Sequence, residues 1–226
     1  MKKFNGKVLV VGATGRTGLW VLRRLQAYDI PARAFARKAD KLAEFRDLEV
    51  SLGKIQNASA IRSAVKGCDA IICAIGATAL FGESSPVQVD GDGIIRLVDI
   101  AKENNVKKFI LISSIAVTKP LHPLNLAFGG VLSQKLRSEN HLRKIYGQDG
   151  FAYTIIRPGG LKDGEPFKHQ LQTGKGDTIS GVIDRADVAE LAVLSLWVKR
   201  VENETFEVIR SAPAEQKSLE LYLEKL

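Results

Sequence analysis

The sequence predicts a three-layer α/β fold, a doubly wound parallel sheet with helices on both faces. Three observations carry that prediction. Short apolar, β-branched runs alternate with helical patterns along almost the whole chain. The runs are unbroken, as in "KVLVVG" (7–12) and "DAIICAIG" (69–76), which marks strands covered on both faces. The first run flows directly into a glycine turn that opens a helical pattern, a strand–turn–helix order.

The elements follow in order. "KVLVVG" is the first strand, and "GLWVLRRLQAY" has the apolar spacing of a helix. "ARAFAR" (32–37) is the second strand and "KADKLAEF" (38–45) reads as a short helix. "LEVSLG" (48–53) is the third strand and "ASAIRSAVKG" (58–67) a helix. "DAIICAIG" is the fourth strand, "PVQVDGDGIIRLVDIAKENN" (86–105) a long helix, and "VKKFILISS" (106–114) the fifth strand. "SQKLRSENHLRKIYGQDG" (133–150) is a helix ended by glycine, "AYTIIRPGG" (152–160) the sixth strand, "DRADVAELAVLSLWVK" (184–199) a helix and "ETFEVI" (204–209) a last strand. Such alternation implies right-handed βαβ units, with a site at the carboxyl ends of the strands. No linker or repeat interrupts it, so residues 1–226 are expected to form one domain of Rossmann type. The tail "EQKSLELYLEKL" (215–226) has helical spacing; docking on the body and docking on a second subunit both stay open.

Three strand ends are followed by long segments, 77–86, 115–132 and 159–183. Loops of this length are usually functional. The middle one carries Leu121, Leu124, Leu126, Phe128 and Val131, which suits a lid over a substrate pocket or a surface for a protein partner.

Composition narrows the class. The chain has 226 residues, 45% of them hydrophobic, and no apolar run long enough to span a bilayer. The apolar start runs into a glycine turn without a small-residue cleavage site, so a secretory signal is not expected. Cys68 and Cys73 have neither zinc spacing nor a CxxC pattern and read as reduced core residues, in the cytoplasm or another reducing compartment. No metal-ligand cluster, HExxH or nucleophile elbow is present, so no metal is expected. The net charge is +8, and residues 1–41 hold ten Lys and Arg against two Asp, which is the whole excess. No basic run is interleaved with aromatics, which argues against nucleic acid. A weak peripheral attraction to membranes remains open. The excess lies where a phosphate-rich cofactor would sit.

Gly12, Gly15 and Gly18 form the G-x-x-G-x-x-G turn. The chain must turn tightly there, approach a pyrophosphate and pack the helix close to the sheet, while free amides at the helix N-terminus face the anion. An NAD site would place Asp or Glu at the end of the second strand. Here that end reads "FARKAD": Arg37 and Lys38 favour a 2′-phosphate, hence NADP(H) over NAD(H), and Arg16 offers a second clamp.

Together "GATGRTG", "FARK", "CDAIICAIG", "FILISS" and "YTIIRPGGL" resemble the atypical short-chain dehydrogenase/reductase superfamily, over residues 7 to 209. They are most similar to its single-domain NAD(P)H-binding branch of plants and cyanobacteria, the translocon type. The resemblance implies that Gly12, Thr14, Gly15, Arg16 and Thr17 line the pyrophosphate and that Arg37 and Lys38 hold the 2′-phosphate. It puts Lys54 where relatives carry an acid near the adenine. It runs Ala74, Ile75 and Gly76 under the ribose and pyrophosphate, and sets Ser113 near the nicotinamide. Pro158, Gly159 and Leu161 fall beside the carboxamide.

Dehydrogenases of the wider superfamily use Y-x-x-x-K, in which the tyrosine moves the proton and the lysine binds the nicotinamide ribose. Lys135 matches the lysine, but Val131 stands at the tyrosine position. Three readings follow. The protein is a reductase of a flavin-like, quinone-like or carbonyl acceptor in which hydride transfer suffices. Alternatively Ser113, Ser114 or His122 supplies the proton. In the third reading the chain binds NADPH without turnover, as a redox sensor or assembly protein. The reductase reading is preferred, with Lys135 and Ser113 as its catalytic candidates.

Overall fold

The computed structural model describes residues 4–213 and 218–226. Its strands are β1 (Val8–Val11), β2 (Ala32–Ala36), β3 (Glu49–Leu52), β4 (Ala70–Cys73), β5 (Lys108–Ile112), β6 (Ala152–Pro158), β7 (Gly160–Lys162), β8 (His169–Gly174), β9 (Val182–Asp184) and β10 (Glu204–Pro213). Its helices are α1 (Arg16–Ala27), α2 (Ala58–Val65), α3 (Asp92–Glu103), α4 (Pro123–Ala127), α5 (Val131–Ile145), α6 (Arg185–Leu194) and α7 (Leu219–Leu223). The main sheet runs β3-β2-β1-β4-β5-β6-β10-β8. Every pairing in it is parallel except β10 with β8. The chain winds outward from β1 to β3 and then returns to β4 on the other side of β1. That reversal opens the crevice in which such folds bind ligands.

Alternate side chains along each strand feed opposite layers. Val8 and Val10 join Ile110 and Ile112 in one buried cluster with α1, α6 and α7. Leu9 and Val11 join Phe109 and Leu111 in the other, with α2, α3 and α5. The period of two in a strand therefore produces the three layers. Helix α1 buries Val21, Leu22 and Leu25, spaced to share one face. Every residue of α6 is buried, because α1, α7 and the sheet enclose it. Asn57 caps α2 by accepting from the Ala60 amide at 3.1 Å, and Asn203 Oδ1 accepts from the Tyr153 amide at 3.1 Å.

Four sequence expectations need correction. Residues 38–45 form successive turns, not a helix. Leu42 is the fully buried apolar anchor in that stretch, and one anchor does not give a helix a face to bury. The segment 159–183 is not a loop: it contains β7 and β9, paired with each other, and β8, which adds an antiparallel edge strand. Only two or three residues of β7 and β9 alternate, too few to show a period. The helix expected over 86–105 starts with a π turn, Val87–Gly91, before α3 proper. The 115–132 segment contains α4, and α5 begins at Val131 rather than 133. The tail docks on the body, with Leu219 and Leu223 buried and Trp197 Nε1 donating to Glu220 at 2.7 Å. The first part of the expected tail helix, 215–217, lies outside the described residues.

Candidate functional site

The glycine turn lies at the carboxyl end of β1. Gly12 has φ +84°, a left-handed conformation that a side chain disfavours. A Cβ on Gly18 would stand 2.1 Å from the Gly12 carbonyl oxygen, so Gly18 lets α1 begin against the turn. Gly15 precedes α1 and makes no side-chain cap. The first-turn amides of α1 are thereby left for an anion.

Two cavities meet over Ala74, Ile75 and Gly76. The first, of about 200 Å³, is lined by Gly12, Thr14, Gly15, Arg37, Lys54, Thr78, Glu83 and Ser84. The second, of about 440 Å³, is lined by Thr17, Ser113, His122, Leu124, Lys135, Pro158, Gly159 and Leu161 among others. Joined, they form one elongated cleft in the size range of a small-molecule site. Most of the sequence-named residues converge there. Three do not line it. Gly18 serves the packing just described. Lys38 is exposed beyond the rim. Arg16 turns to Asp163, whose Oδ2 it meets at 2.6 Å while Arg185 meets Oδ1 at 2.7 Å. Against its desolvation, these guanidinium hydrogen bonds hold the Asp163 carboxyl below the usual carboxylate range.

Lys135 projects from the first turns of α5, and its ammonium lies 2.7 Å from Asp90 in the π turn. Asp90 is fully buried and also accepts from the Ala77 amide at 2.8 Å. Burial alone would lower the Lys135 pKa; the Asp90 carboxylate outweighs it and holds the ammonium more firmly protonated than usual. Sequence reasoning missed Asp90, although a carboxylate among apolar helix positions in "PVQVDGDG" was a visible signal. Nearby, Ser113 is buried and its hydroxyl finds no hydrogen-bond partner among the described residues. A buried polar atom left open at a cavity wall suits a ligand. Val131 is the first residue of α5, so no phenol stands four residues before Lys135. His122 Nδ1 accepts from the Leu124 amide at 3.2 Å and starts α4.

Behind the second cavity runs a chain of buried charges. Glu139 takes two hydrogen bonds from Arg157, at 3.1 and 2.7 Å, and one from Arg143 at 2.8 Å. Arg157 also lies 3.7 Å from Glu207, which accepts from the Asp177 amide at 2.5 Å. Asp177 then holds the 115–132 segment through the amides of Ala116 and Thr118 and the Thr118 hydroxyl. Despite desolvation, those bonds keep its carboxyl below the usual range. The root of the 115–132 segment is thus fixed, while Leu121 and Leu126 stand 86% and 81% exposed.

Cys73 is sealed in the core, and burial pushes its thiol up to about 12, so it is inert. Among the described residues no group of His, Cys, Asp and Glu suits a metal ion, and no helix is long and apolar enough to cross a membrane.

A family model described as NAD(P)H-binding matches residues 12–196. An uncharacterized chloroplastic protein of Arabidopsis thaliana is 34% identical over 227 residues, covering 94% of this chain and 79% of that protein. Sanguinarine reductase of Eschscholzia californica is 29% identical, covering 89% of this chain and 88% of that protein. Among solved structures, the anaerobillin reductase ChuY of Escherichia coli O157:H7 superposes with a TM-score of 0.75 at 25% identity, covering 92% of this chain and all of that one.

Proposed function

The chain belongs to the NAD(P)H-binding family, as an atypical relative of the short-chain dehydrogenases/reductases, and on that premise we propose that it is an NADPH-dependent reductase of a conjugated, ring-bearing acceptor. The observation that carries this reading is the single cleft running from the cations Arg37 and Lys54 to the open hydroxyl of Ser113. The residues fit the cofactor on structural grounds. A Cβ would fill the cradle at Gly12, and the end of β2 offers cations and no carboxylate.

NADPH supplies a hydride when bound. The protein's own part is placement. Arg37, with Lys54 in the same cavity wall, takes the 2′-phosphate, and the exposed Lys38 beside Arg37 in sequence adds to the local positive charge. Lys135 has one of its three N–H donors on Asp90 and keeps the others for the nicotinamide ribose. Ser113 donates to a substrate oxygen or nitrogen. Ile115, Leu124, Pro158 and Leu161 give the second cavity apolar walls for a flat ring. A conjugated acceptor spreads the incoming charge and takes its proton from water, so Val131 in the tyrosine position does not stop the reaction. Two relatives with reductase names, acting on sanguinarine and anaerobillin by those names, support an extended acceptor.

The test is NADPH oxidation, followed by absorbance, with flavin, quinones, small carbonyls and polycyclic iminium or tetrapyrrole acceptors. Turnover with at least one conjugated acceptor is expected, and it should drop at least about tenfold in Ser113→Ala. Arg37→Ala with Lys38→Ala should weaken NADP(H) at least about tenfold and leave NAD(H) within about twofold; equal losses for both would refute the NADP assignment. The absent phenol and the exposed Leu121 and Leu126 favour a second reading, a cofactor-gated binding protein whose lid meets a protein partner. Tight NADPH binding with no oxidation by any of these acceptors is its signature.

A further inference from the structure

The segment between β4 and the π turn, 77–86, folds over the first cavity rather than the second. Its short turn Gly82–Ser84 sets Glu83 against Lys54, with the carboxylate 2.6 Å from the ammonium. Gln56 Nε2 donates to the Glu83 carbonyl at 2.5 Å, and Arg37 donates to the Ser84 hydroxyl at 3.3 Å. The loop also closes on itself: the Thr78 and Ala79 amides donate to the Ser84 carbonyl at 3.0 and 3.2 Å, and the Ser85 amide donates to the Gly82 carbonyl at 3.1 Å. Two cations that line the cavity, Arg37 and Lys54, are therefore engaged by neighbouring residues of one loop.

We propose that Glu83 is a built-in competitor for the cofactor's 2′-phosphate and so a determinant of cofactor choice. This rests on the reading that the cofactor carries that phosphate. The Glu83 carboxylate occupies Lys54 when no nucleotide is present. Both side chains are more than half exposed, and an exposed ion pair is worth about 1 kcal/mol or less. A phosphate monoester brings about −1.5 to −2 charges and three acceptor oxygens, so it outcompetes one carboxylate for the same cations. A nucleotide without the 2′-phosphate has nothing with which to displace Glu83. The carboxylate therefore penalises the phosphate-bearing cofactor slightly and leaves a nucleotide without that phosphate unaffected. Displacement of Glu83 loosens the turn that its neighbour Ser84 pins. The same loop reaches the lid, since the Leu80 carbonyl oxygen lies 3.5 Å from the Cβ position of Gly129.

The experiment uses adenosine 2′,5′-bisphosphate and adenosine 5′-monophosphate as probes, with dissociation constants from calorimetry on the full chain, its Glu83→Gln variant and its Arg37→Ala variant. Glu83→Gln should bind the bisphosphate about fivefold more tightly than the parent, with the monophosphate changed by less than about twofold. An unchanged bisphosphate affinity in E83Q overturns the proposal. A weakened monophosphate also overturns it, because that outcome makes Glu83 an acceptor for the ribose hydroxyls. If the parent does not distinguish the two probes and R37A changes both equally, the phosphate site itself is wrong and Glu83 loses its role with it. Amide hydrogen exchange gives a second readout. Thr78, Ala79 and Ser85 should exchange faster with the bisphosphate than with the monophosphate; slower exchange would contradict displacement of the loop.

Discussion

The two ends of the cleft are built by different means. The end proposed for adenosine is built by consecutive strand–helix units, at the carboxyl ends of β1 to β4. The far end depends on side chains distant in the chain: Asp90 with Lys135, Glu139 with Arg157, Glu207 with Asp177, and Asp177 with Thr118. The first construction leaves no room for added Cβ atoms at Gly12 and Gly18. The second relies on buried charges, whose partners cannot be removed cheaply.

The largest test of that contrast is Glu139→Ala. It leaves Arg157, 6% exposed, with only a 3.7 Å contact to Glu207. Denaturant unfolding should show a loss of about 3–5 kcal/mol; a loss below about 1 kcal/mol would mean that the charges are not what holds this end. At the adenosine end, Gly18→Ala drives a methyl onto the Gly12 carbonyl. It should cost about 1–3 kcal/mol and weaken nucleotide binding at least about tenfold by fluorescence titration. Retained affinity would show that the turn is not the cradle.

A third test uses pH. Burial raises the Asp187 carboxyl from 3.8 to about 6. The folded chain holds this proton where the unfolded chain has released it. The group therefore favours folding at low pH, and that contribution is lost as pH rises towards 6. Above about pH 6 the charged carboxylate is a full penalty. Asp187→Asn should stabilise the protein by about 2 kcal/mol near pH 8, with the gain shrinking towards pH 4. A gain independent of pH would assign the effect to packing. The smallest expected stability change is at the lid. Leu124→Ser, in the wall of the second cavity, should shift unfolding by less than about 0.5 kcal/mol yet lower acceptor turnover; unchanged turnover would remove Leu124 from the substrate surface.

Legibility followed the same division. The apolar runs of β1, β4 and β5 were readable because both of their faces are buried, and the glycine turn because backbone geometry demands those residues. Residues 38–45 misled because a few apolar side chains at helical spacing do not make a helix without a surface to cover. Strands β7 to β9 went unread because their pairing is tertiary: β8 exists by antiparallel contact with β10, some 30 residues on. Arg16 reads as a phosphate clamp from its place in the turn; its ion pair with Asp163 is hidden by sequence distance.

The sequence by itself determined the doubly wound sheet, the strand–glycine–helix cradle, the cations after β2 and the missing phenol at Val131. All of these are written in local spacing and residue type. Only the tertiary structure decided that Asp90 holds Lys135, that a chain of buried charges anchors the start of the 115–132 segment, and that Glu83 rather than solvent faces Lys54. Those are pairings between elements, and an ion pair is specified by where the backbone brings two charges together, not by either charge in its own stretch of chain.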